Sequence, residues 1–283
     1  MEAAGKKHEE EKERLLIACQ GTEGAYSQIA ARRLFPEGSF LYFRQFRAAA
    51  RAVSQGMCRY AVLPIENNTY GSVRDVYRAI GEENVSIVRG YTLKIDHVLL
   101  GLKGAALGDI TTIYSHEQAL GQCGSFLHSL GNRTEAVPCL NTAVSARRVA
   151  EEKDPYRAAI ASPECAEIYG LEIIKRNIED NNHNYTRFIC VGREPEAPEN
   201  ANRISLMLSL RHEPGSLASV LGMFAAEGIN LLKIESEPIP GRDFEFRFYI
   251  DIEGHPEDEK TGHILRSLER TCPEYRMLGY YSS

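Results

Sequence analysis

The stretch Asn184-Tyr185-Thr186-Arg187-Phe188 joins a polar run to an apolar one, and the other segments of the chain are organised around it. Charged and turn-forming residues precede it at positions 179–183. The apolar run at positions 188–191 follows it and is typical of a buried strand. Thr186 and Arg187 therefore lie where a loop meets a rigid strand, a common place for binding and catalytic groups. Taken alone, so short a motif more often marks only the start of a strand beside a solvated arginine.

Length and composition indicate a soluble protein of two domains. The chain has 283 residues, of which 43% are hydrophobic, enough for a sizeable core. Its net charge of −6 gives no basic field that would attract nucleic acid or an anionic membrane. No apolar run approaches the roughly 20 residues that cross a bilayer. Residues 1–14 are rich in Lys and Glu and lack the apolar segment of a signal peptide. We therefore expect a charged N-terminal tail there and a cytoplasmic protein that binds neither nucleic acid nor membrane.

Cysteine and histidine spacing predicts neither disulfides nor a metal site. The seven cysteines include no C-x-x-C pair, and they are scattered over Cys19, Cys58, Cys123, Cys139, Cys165, Cys190 and Cys272. Most lie in apolar surroundings, which is typical of reduced, buried thiols in a cytosolic protein. The eight histidines show no H-E-x-x-H or comparable ligand spacing, so we expect no bound metal.

A strand, a glycine turn and a helix begin the ordered part of the chain. Residues 15–19 predict a buried strand, residues 20–24 a turn with Gly-x-x-Gly spacing, and residues 25–35 a helix. Such a junction directs free backbone N–H groups and the positive end of the helix into a cleft, which favours an anion. The spacing matches neither the dinucleotide fingerprint nor a P-loop, so a nucleotide is only weakly supported.

Strands and helices then alternate, which predicts a parallel α/β sheet whose ligands gather at the carboxyl ends of the strands. Polar residues follow three strands, in the segments Glu66-Asn67, Ser115-His116-Glu117-Gln118 and Asn141-Thr142. Each segment taken singly is more often a helix N-cap or a turn signal. Together they indicate one cleft between two α/β lobes, at residues 15–94 with 172–193 and at residues 95–171.

A separate small module follows a linker rich in Pro and Glu at residues 194–202. Residues 203–283 predict the order βαββαβ of a ferredoxin-like sandwich, with apolar residues at every second position from 244 to 252. Two helices cover only one face of such a sheet. Open sheet edges in this module favour pairing with a second subunit.

These segments together resemble the prephenate dehydratases that carry a C-terminal ACT domain, over roughly residues 15–281. The resemblance rests on several ordered motifs, which are far more specific together than singly. They are Gly21-x-x-Gly24-x-Tyr26-Ser27, Leu63-Pro64-Ile65-Glu66-Asn67, Ser115-His116-Glu117-Gln118-Ala119-Leu120, Asn184-x-Thr186-Arg187-Phe188, Gly215-Ser216-Leu217 and Ile234-Glu235-Ser236-Glu237-Pro238.

The resemblance implies a two-lobed catalytic domain similar to periplasmic type II binding proteins, at residues 15–193, and an ACT regulatory domain at residues 203–283. It implies a lyase of L-phenylalanine biosynthesis that converts prephenate to phenylpyruvate, water and carbon dioxide without a cofactor. L-Phenylalanine would bind between ACT domains and inhibit, in a homodimer or homotetramer. Thr186 would be catalytic, and the substrate-binding residues would be Ser27, Glu66, Asn67, Ser115, Gln118, Thr142, Asn184, Arg187 and Phe188. The effector-binding residues would be Gly215, Ser216, Leu217, Asn230, Leu231, Glu235 and Ser236.

The residue types suit this chemistry. Loss of the ring carboxylate supplies the electrons that expel the ring hydroxyl, so no base, metal or redox cofactor is required. A threonine hydroxyl can donate a hydrogen bond to the departing oxygen, and positioned proton donation typically contributes about 10²–10⁴-fold. Arg187 and the helix N-termini at Ser27, Ser115 and Thr142 are expected to bind the substrate carboxylates.

Some positions depart from the common pattern and leave the substrate and the regulation open. Ala25 gives the G-A-Y-S form also seen in plant arogenate dehydratases, so arogenate is an alternative substrate. Glu237 stands where an arginine is usual, a charge reversal that would alter effector binding. A cytosolic ligand-binding sensor and an ACT-type regulator with an inactive catalytic half are the remaining alternatives, since a fold alone does not fix a chemistry.

Overall fold

The described part of the chain consists of two α/β lobes and a C-terminal module. A computed structural model describes residues 15–196, 198–239, 241–242 and 244–282. The charged tail expected at residues 1–14 lies outside the described residues, as does Ala197 of the expected linker.

The first lobe begins with alternating strands and helices, as expected. Its elements are β1 (Leu16–Gln20), α1 (Tyr26–Leu34), β2 (Ser39–Phe43), α2 (Phe46–Ser54), β3 (Tyr60–Asn67), β4 (Gly71–Ser72), α3 (Arg74–Glu83) and β5 (Ser86–Lys94). Strand β1 lies parallel to β2 and β3. Gly71 and Ser72 pair with Asn67 and Glu66 as β4. The helix begins only at Arg74.

The second lobe has its own five-stranded sheet in the order β10-β6-β9-β7-β8. Its elements are β6 (Val98–Gly101), β7 (Thr112–His116), α4 (Glu117–Gln122), α5 (Gly124–Ser129), β8 (Glu135–Cys139), α6 (Thr142–Glu152), β9 (Arg157–Ala161), α7 (Glu164–Tyr169) and β10 (Glu172–Lys175). We placed residue 172 onward in the first lobe. The structure instead pairs β10 with β6, because Ile173 and Ile174 pack against apolar clusters of the second lobe.

Strand β11 (Tyr185–Gly192) returns the chain to the first lobe. It lies between β3 and β5 and runs antiparallel to both. Thr186 pairs with Asn67, and Arg187 pairs with Glu66. The apolar run that we expected to be a buried strand is fully covered, since Ile189, Cys190 and Val191 have no exposed surface.

The C-terminal module has the predicted order βαββαβ. Its elements are β12 (Arg203–Ser209), α8 (Ser216–Ala226), β13 (Leu231–Pro238), β14 (Phe246–Glu253), α9 (Glu259–Thr271) and β15 (Glu274–Tyr281). The strands lie in the order β13-β14-β12-β15, the ferredoxin-like arrangement. Phe244, which the alternation placed on a strand, lies before β14 with a positive φ and is 77% exposed.

The sheet of the C-terminal module continues the sheet of the first lobe. Strand β15 lies beside β5 through the pair Gly279 and Ile87, and Gly90 N donates to Ser282 O at 2.9 Å. One face of the module's sheet packs on α8 and α9. Residues of its other face, including Tyr249 and Tyr281, are buried in the core of the first lobe. That lobe therefore covers the sheet face that the module's own helices leave open.

In the part of the chain that the structure describes, no helix is long and apolar enough to cross a membrane. All seven cysteines are free thiols, and six of them are buried.

Candidate active site

A cleft of about 400 Å³ lies between the two lobes. Its volume is within the range of small-molecule sites, roughly 300–1,000 Å³. The residues that line it are mainly aromatic, amide and hydroxyl side chains: Gln20, Ala25, Tyr26, Ser27, Phe46, Pro64, Asn67, Tyr70, Val73, Ile95, His97, His116, Gln118, Ala119, Gln122, Leu140, Asn141, Thr142, Thr186 and Phe188. Six residues predicted from the sequence are therefore brought to one cleft: Ser27, Asn67, Gln118, Thr142, Thr186 and Phe188.

Thr186 is held at the cleft wall by Asn67. The Asn67 amide donates to Thr186 Oγ1 at 3.0 Å, and the same nitrogen lies 2.8 Å from Asn184 Oδ1. Asn67 Oδ1 in turn accepts from the backbone N–H groups of Thr69 and Tyr70. Among the described residues, the Thr186 hydroxyl accepts the hydrogen bond from Asn67 and donates none. The oxygen is thus oriented by an amide, while its proton is free for a ligand in the cleft.

The hydrogen bonds continue from Asn184 into the second lobe. Asn184 Nδ2 donates to Gln122 Oε1 at 3.0 Å, and His97 Nε2 lies 2.8 Å from the same oxygen. His97 Nδ1 is 3.0 Å from the Tyr26 hydroxyl, which donates to Asp96 O at 2.6 Å. Burial lowers the pKa of His97, so its imidazole is neutral near pH 7. Sequence reasoning missed His97 and Gln122, because neither residue belongs to a motif with a local signature.

The cleft offers helix ends to an anion. Ser27 and Thr142 lie in the first turns of α1 and α6, and both line the cleft. The Asn141 side chain caps α6 by accepting from Val144 N at 2.7 Å. Free N–H groups and the helix dipole at such positions favour negative charge. None of the described cleft-lining residues is Arg, Lys, Asp or Glu.

Two predicted substrate-binding residues, Arg187 and Glu66, lie outside the cleft. Successive side chains of a strand point to opposite faces, so Thr186 faces the cleft and Arg187 faces away. The Arg187 guanidinium is buried and donates to Glu66 Oε2 at 3.0 Å and to Asp251 Oδ2 at 2.7 Å. The structure therefore places the expected carboxylate-binding arginine at the contact between the first lobe and the C-terminal module.

Glu66 is ionised at this contact. Burial alone would raise the pKa of Glu66, but Lys233 and Arg187 hold it below its usual value. Lys233 Nζ lies 3.3 Å from Glu66 Oε1. Glu66 is thus paired with both cations at the contact between the domains.

Ser115 also lies away from the cleft wall. It is the fourth residue of β7, it is fully buried, and its hydroxyl donates to Ile160 O at 2.7 Å. We expected Ser115 to open a helix. The helix cap is instead His116, whose Nδ1 accepts from Gln118 N at 3.3 Å.

The predicted effector-binding residues lie at two places in the C-terminal module. Gly215, with a positive φ, precedes α8, and Ser216 and Leu217 begin that helix. Asn230 and Leu231 lie where β13 begins, while Ser236 is on its exposed side. Glu235 turns to the first lobe, where its carboxylate accepts from Ser72 Oγ at 3.0 Å and from Arg74 Nε at 3.1 Å. Glu237, the residue with the reversed charge, pairs with Arg78 of α3.

Comparison with known proteins agrees with this architecture. The prephenate dehydratase family model matches residues 17–196, and the ACT domain model matches residues 204–270. An Arabidopsis thaliana protein described as arogenate dehydratase/prephenate dehydratase 2, chloroplastic, is 39% identical over 95% of this chain and 73% of its own length. A Komagataeibacter europaeus protein described as a bifunctional N-acyl-homoserine lactone acylase/prephenate dehydratase is 34% identical over 94% of this chain and 95% of its own length.

A solved structure matches both parts of the molecule at once. The prephenate dehydratase from Arthrobacter aurescens, determined in complex with L-Phe, has a TM-score of 0.87 and 32% sequence identity, and the match covers 95% of this chain and 90% of that one. The family model alone covers more than half of the chain. This chain therefore belongs to the prephenate dehydratase family of lyases, and its C-terminal module is an ACT domain.

Proposed function

We propose that this chain converts prephenate to phenylpyruvate, water and carbon dioxide, and that Thr186 is the catalytic residue. The observation that carries the proposal is the Thr186 hydroxyl in the cleft, which accepts a hydrogen bond from Asn67 and keeps its own proton free. This arrangement suits a reaction in which an oxygen leaves with its bonding electrons and takes up a proton.

The chemistry requires a donor at the departing oxygen and little else. The bond between the ring and its carboxylate breaks, and its electron pair moves into the ring as carbon dioxide leaves. The carbon–oxygen bond of the ring hydroxyl then breaks, and the oxygen becomes water on taking a proton. Thr186 donates a hydrogen bond to that oxygen, and aromatisation of the ring drives the step. Phe188 and Pro64, which line the cleft, provide an apolar surface for the ring.

The two carboxylates of prephenate are bound by N–H groups and neutral side chains, because none of the described cleft-lining residues is a lysine or an arginine. The first turns of α1 and α6, at Ser27 and Thr142, are suited to this role. Gln118 of α4 lies at the same wall and can donate through its side chain.

Arogenate is the second candidate substrate, since Ala25 lines the cleft in the G-A-Y-S form. Arogenate differs from prephenate in carrying an ammonium group on its side chain. No carboxylate is found among the described cleft-lining residues to pair with that ammonium. This charge argument favours prephenate.

We further propose that L-phenylalanine inhibits the enzyme at the ACT domains of a homodimer or homotetramer. The L-Phe complex of the Arthrobacter aurescens relative supports a small-molecule effector. In this chain Gly215, Ser216, Leu217, Asn230, Leu231 and Ser236 would contribute to that site. Glu235 and Glu237 engage the first lobe instead, so the inhibition is expected to depend on the contact between domains.

Turnover of prephenate and of arogenate by the purified protein, followed by product absorbance, tests the substrate. We expect prephenate to give the higher kcat/KM and added L-phenylalanine to lower its turnover. Preference for arogenate would move the assignment to that substrate. Binding without turnover of either would favour a sensor protein.

Substitution of Thr186 tests the catalytic role. Thr186→Ala is expected to lower kcat by about 10²–10⁴-fold, and Thr186→Ser to retain most of it. Thr271→Ala is a matched control, because Thr271 ends α9 of the ACT domain and its hydroxyl donates to Ser267 O of the same helix. Wild-type kcat in Thr186→Ala would remove Thr186 from the mechanism.

A further inference from the structure

A buried charged cluster joins the ACT domain to the strand that carries Thr186. The Arg187 guanidinium donates to Asp251 Oδ2 of β14 at 2.7 Å and to the Tyr281 hydroxyl of β15 at 3.0 Å. On the other side it donates to Glu66 Oε2 of β3 at 3.0 Å. The neighbour of the candidate catalytic residue therefore has two of its three partners in the ACT domain.

On the ACT side of the cluster, hydrogen bonds within the sheet hold Asp251 and Tyr281 in place. Asp251 is 1% exposed, and its second oxygen accepts from Ser205 Oγ of β12 at 2.6 Å. Ser205 Oγ is also 2.9 Å from the Tyr281 hydroxyl. Three adjacent strands of one sheet thus fix the acceptors that Arg187 meets, and the position of Arg187 follows that sheet.

The catalytic side of the cluster leads directly to the cleft. Glu66 precedes Asn67, the residue whose amide orients Thr186 Oγ1. Between Arg187 and Phe188 the pairing of β11 with β3 shifts, from Glu66 to Pro64, so that one residue of β3 bulges out of register. A bulge interrupts the ladder of backbone hydrogen bonds. Side-chain contacts at Arg187 and Glu66 therefore contribute to the register of the two strands there.

The charge balance of the buried cluster depends on the carboxylate of Asp251. Two carboxylates, Glu66 and Asp251, face three cations, since Lys233 lies 3.3 Å from Glu66 and Arg203 lies 3.9 Å from Asp251. The Nε atom of Arg187 has no hydrogen-bond partner among the described residues. Removal of Asp251 would leave three cations facing one carboxylate, a buried excess of positive charge that a shift of Arg187 would relieve.

We propose that Arg187 is a positioning residue through which the ACT domain holds Thr186 and Asn67 in their catalytic arrangement. The proposal rests on the proposed function of Thr186. Arg187 is not among the residues that line the cleft, and it acts by fixing the segment of β11 and β3 beside it. The catalytic cleft is complete only while Asp251 and Tyr281 are docked against the first lobe.

Steady-state kinetics of Asp251→Asn test this role. Because a displacement of about 1 Å can cost about 10²-fold in rate, we expect kcat for prephenate to fall by up to about 10²-fold with KM unchanged. Arg78→Gln is the matched control, since it removes the pair with Glu237, a different contact between the ACT domain and the first lobe. Its kcat is expected to equal that of the wild type.

Three further variants, Tyr281→Phe, Arg187→Lys and Arg187→Gln, separate positioning from folding. Tyr281→Phe removes one acceptor of Arg187 and keeps the ring, so a smaller loss of kcat is expected. Arg187→Lys keeps the positive charge but loses the planar guanidinium with its several N–H donors. It is expected to recover part of the kcat lost in Arg187→Gln. A raised KM with normal kcat in Arg187→Gln would overturn the proposal, because it would make Arg187 a substrate ligand. An equal loss of kcat in Arg78→Gln would also overturn it, because any contact between the domains would then suffice.

Hydrogen exchange of the folded variants provides a measurement that does not depend on enzyme activity. Amides of β11 and β3 near Thr186 and Asn67 are expected to exchange faster in Asp251→Asn than in Arg78→Gln. Equal exchange in the two variants would contradict the positioning role even if the chain turned over neither substrate. If the wild-type protein turned over neither substrate but these amides exchanged faster in Asp251→Asn, Arg187 would still link the ACT domain to β11 and β3. The proposed reaction would then be the part that is refuted.

Discussion

At the scale of single residues, His97 connects the two lobes across the cleft. It directly precedes β6 of the second lobe, yet its ring lies 3.0 Å from the hydroxyl of Tyr26, which belongs to α1 of the first lobe. Its other ring nitrogen approaches Gln122 Oε1 at 2.8 Å. The imidazole is almost fully buried, so a proton on it loses hydration that the unfolded chain would provide.

This burial predicts a pH-dependent stability. Since the pKa of His97 is lowered from 6.5, the unfolded state binds the proton more readily, and stability falls as the pH is lowered through about 6.5. Denaturant unfolding at about pH 7.5 and about pH 5.5 is expected to show that His97→Asn destabilises less at the lower pH. His212→Asn, at an exposed position, is the control. The same destabilisation by His97→Asn at both pH values would contradict the prediction.

At the scale of secondary-structure elements, the junction of β15 with β5 unites the two sheets. Gly279 allows it, because its backbone lies against the carbonyl of Ile87 and any Cβ there would overlap that oxygen. The junction also places Leu278 and Tyr281 in the core of the first lobe. A single small residue thus sets how closely the ACT domain approaches the catalytic domain.

Gly279→Ala is therefore expected to lower the free energy of unfolding by about 1–3 kcal/mol, the usual cost of overpacking. Gly222→Ala in α8 is the control, because its Cβ would meet no described atom within 4 Å beyond the adjoining residues and backbone of its own helix. In a helix that change is expected to stabilise by about 0.5–1 kcal/mol. Thermal or denaturant unfolding measures both variants. An unchanged stability of Gly279→Ala would show that β15 and β5 separate without cost.

At the scale of the whole molecule, the ACT domain presents an apolar edge to solvent. Strand β13 has a neighbour on one side only, β14, among the described strands. Leu232 and Ile234 on it are 40% and 44% exposed, and Phe246 on β14 is also exposed. An unpaired strand with exposed apolar side chains favours association with a second copy.

A charge on this edge is expected to weaken association. Ile234→Glu should lower the mass measured by light scattering toward that of the monomer, because pairing of two copies would bury two carboxylates. Met57→Glu, at an exposed apolar position on the first lobe, is the control and is expected to leave the mass unchanged. Retention of the full oligomer in Ile234→Glu would place the interface elsewhere.

Much of the cleft could be predicted from the sequence, because local pattern carries the information. The polar residues at strand ends and at helix starts identified Asn67, Gln118, Thr142 and Thr186, and the structure brings these four to one cleft. The alternation of strand side chains also contained the signal that Thr186 and Arg187 face opposite ways. Gln122 and His97 gave no such signal, since their roles depend on partners far apart in sequence.

Sequence alone determined the family, the two α/β lobes and the βαββαβ order of the ACT domain, because periodicity and motifs act within a few residues of the chain. The tertiary structure decided which polar side chains face the cleft and which face the ACT domain. It placed Arg187 beside Asp251, and Glu237 beside Arg78, pairs that are 64 and 159 residues apart. Such contacts arise only when the ACT sheet joins the first lobe, since no local pattern specifies which distant charge a buried residue will meet.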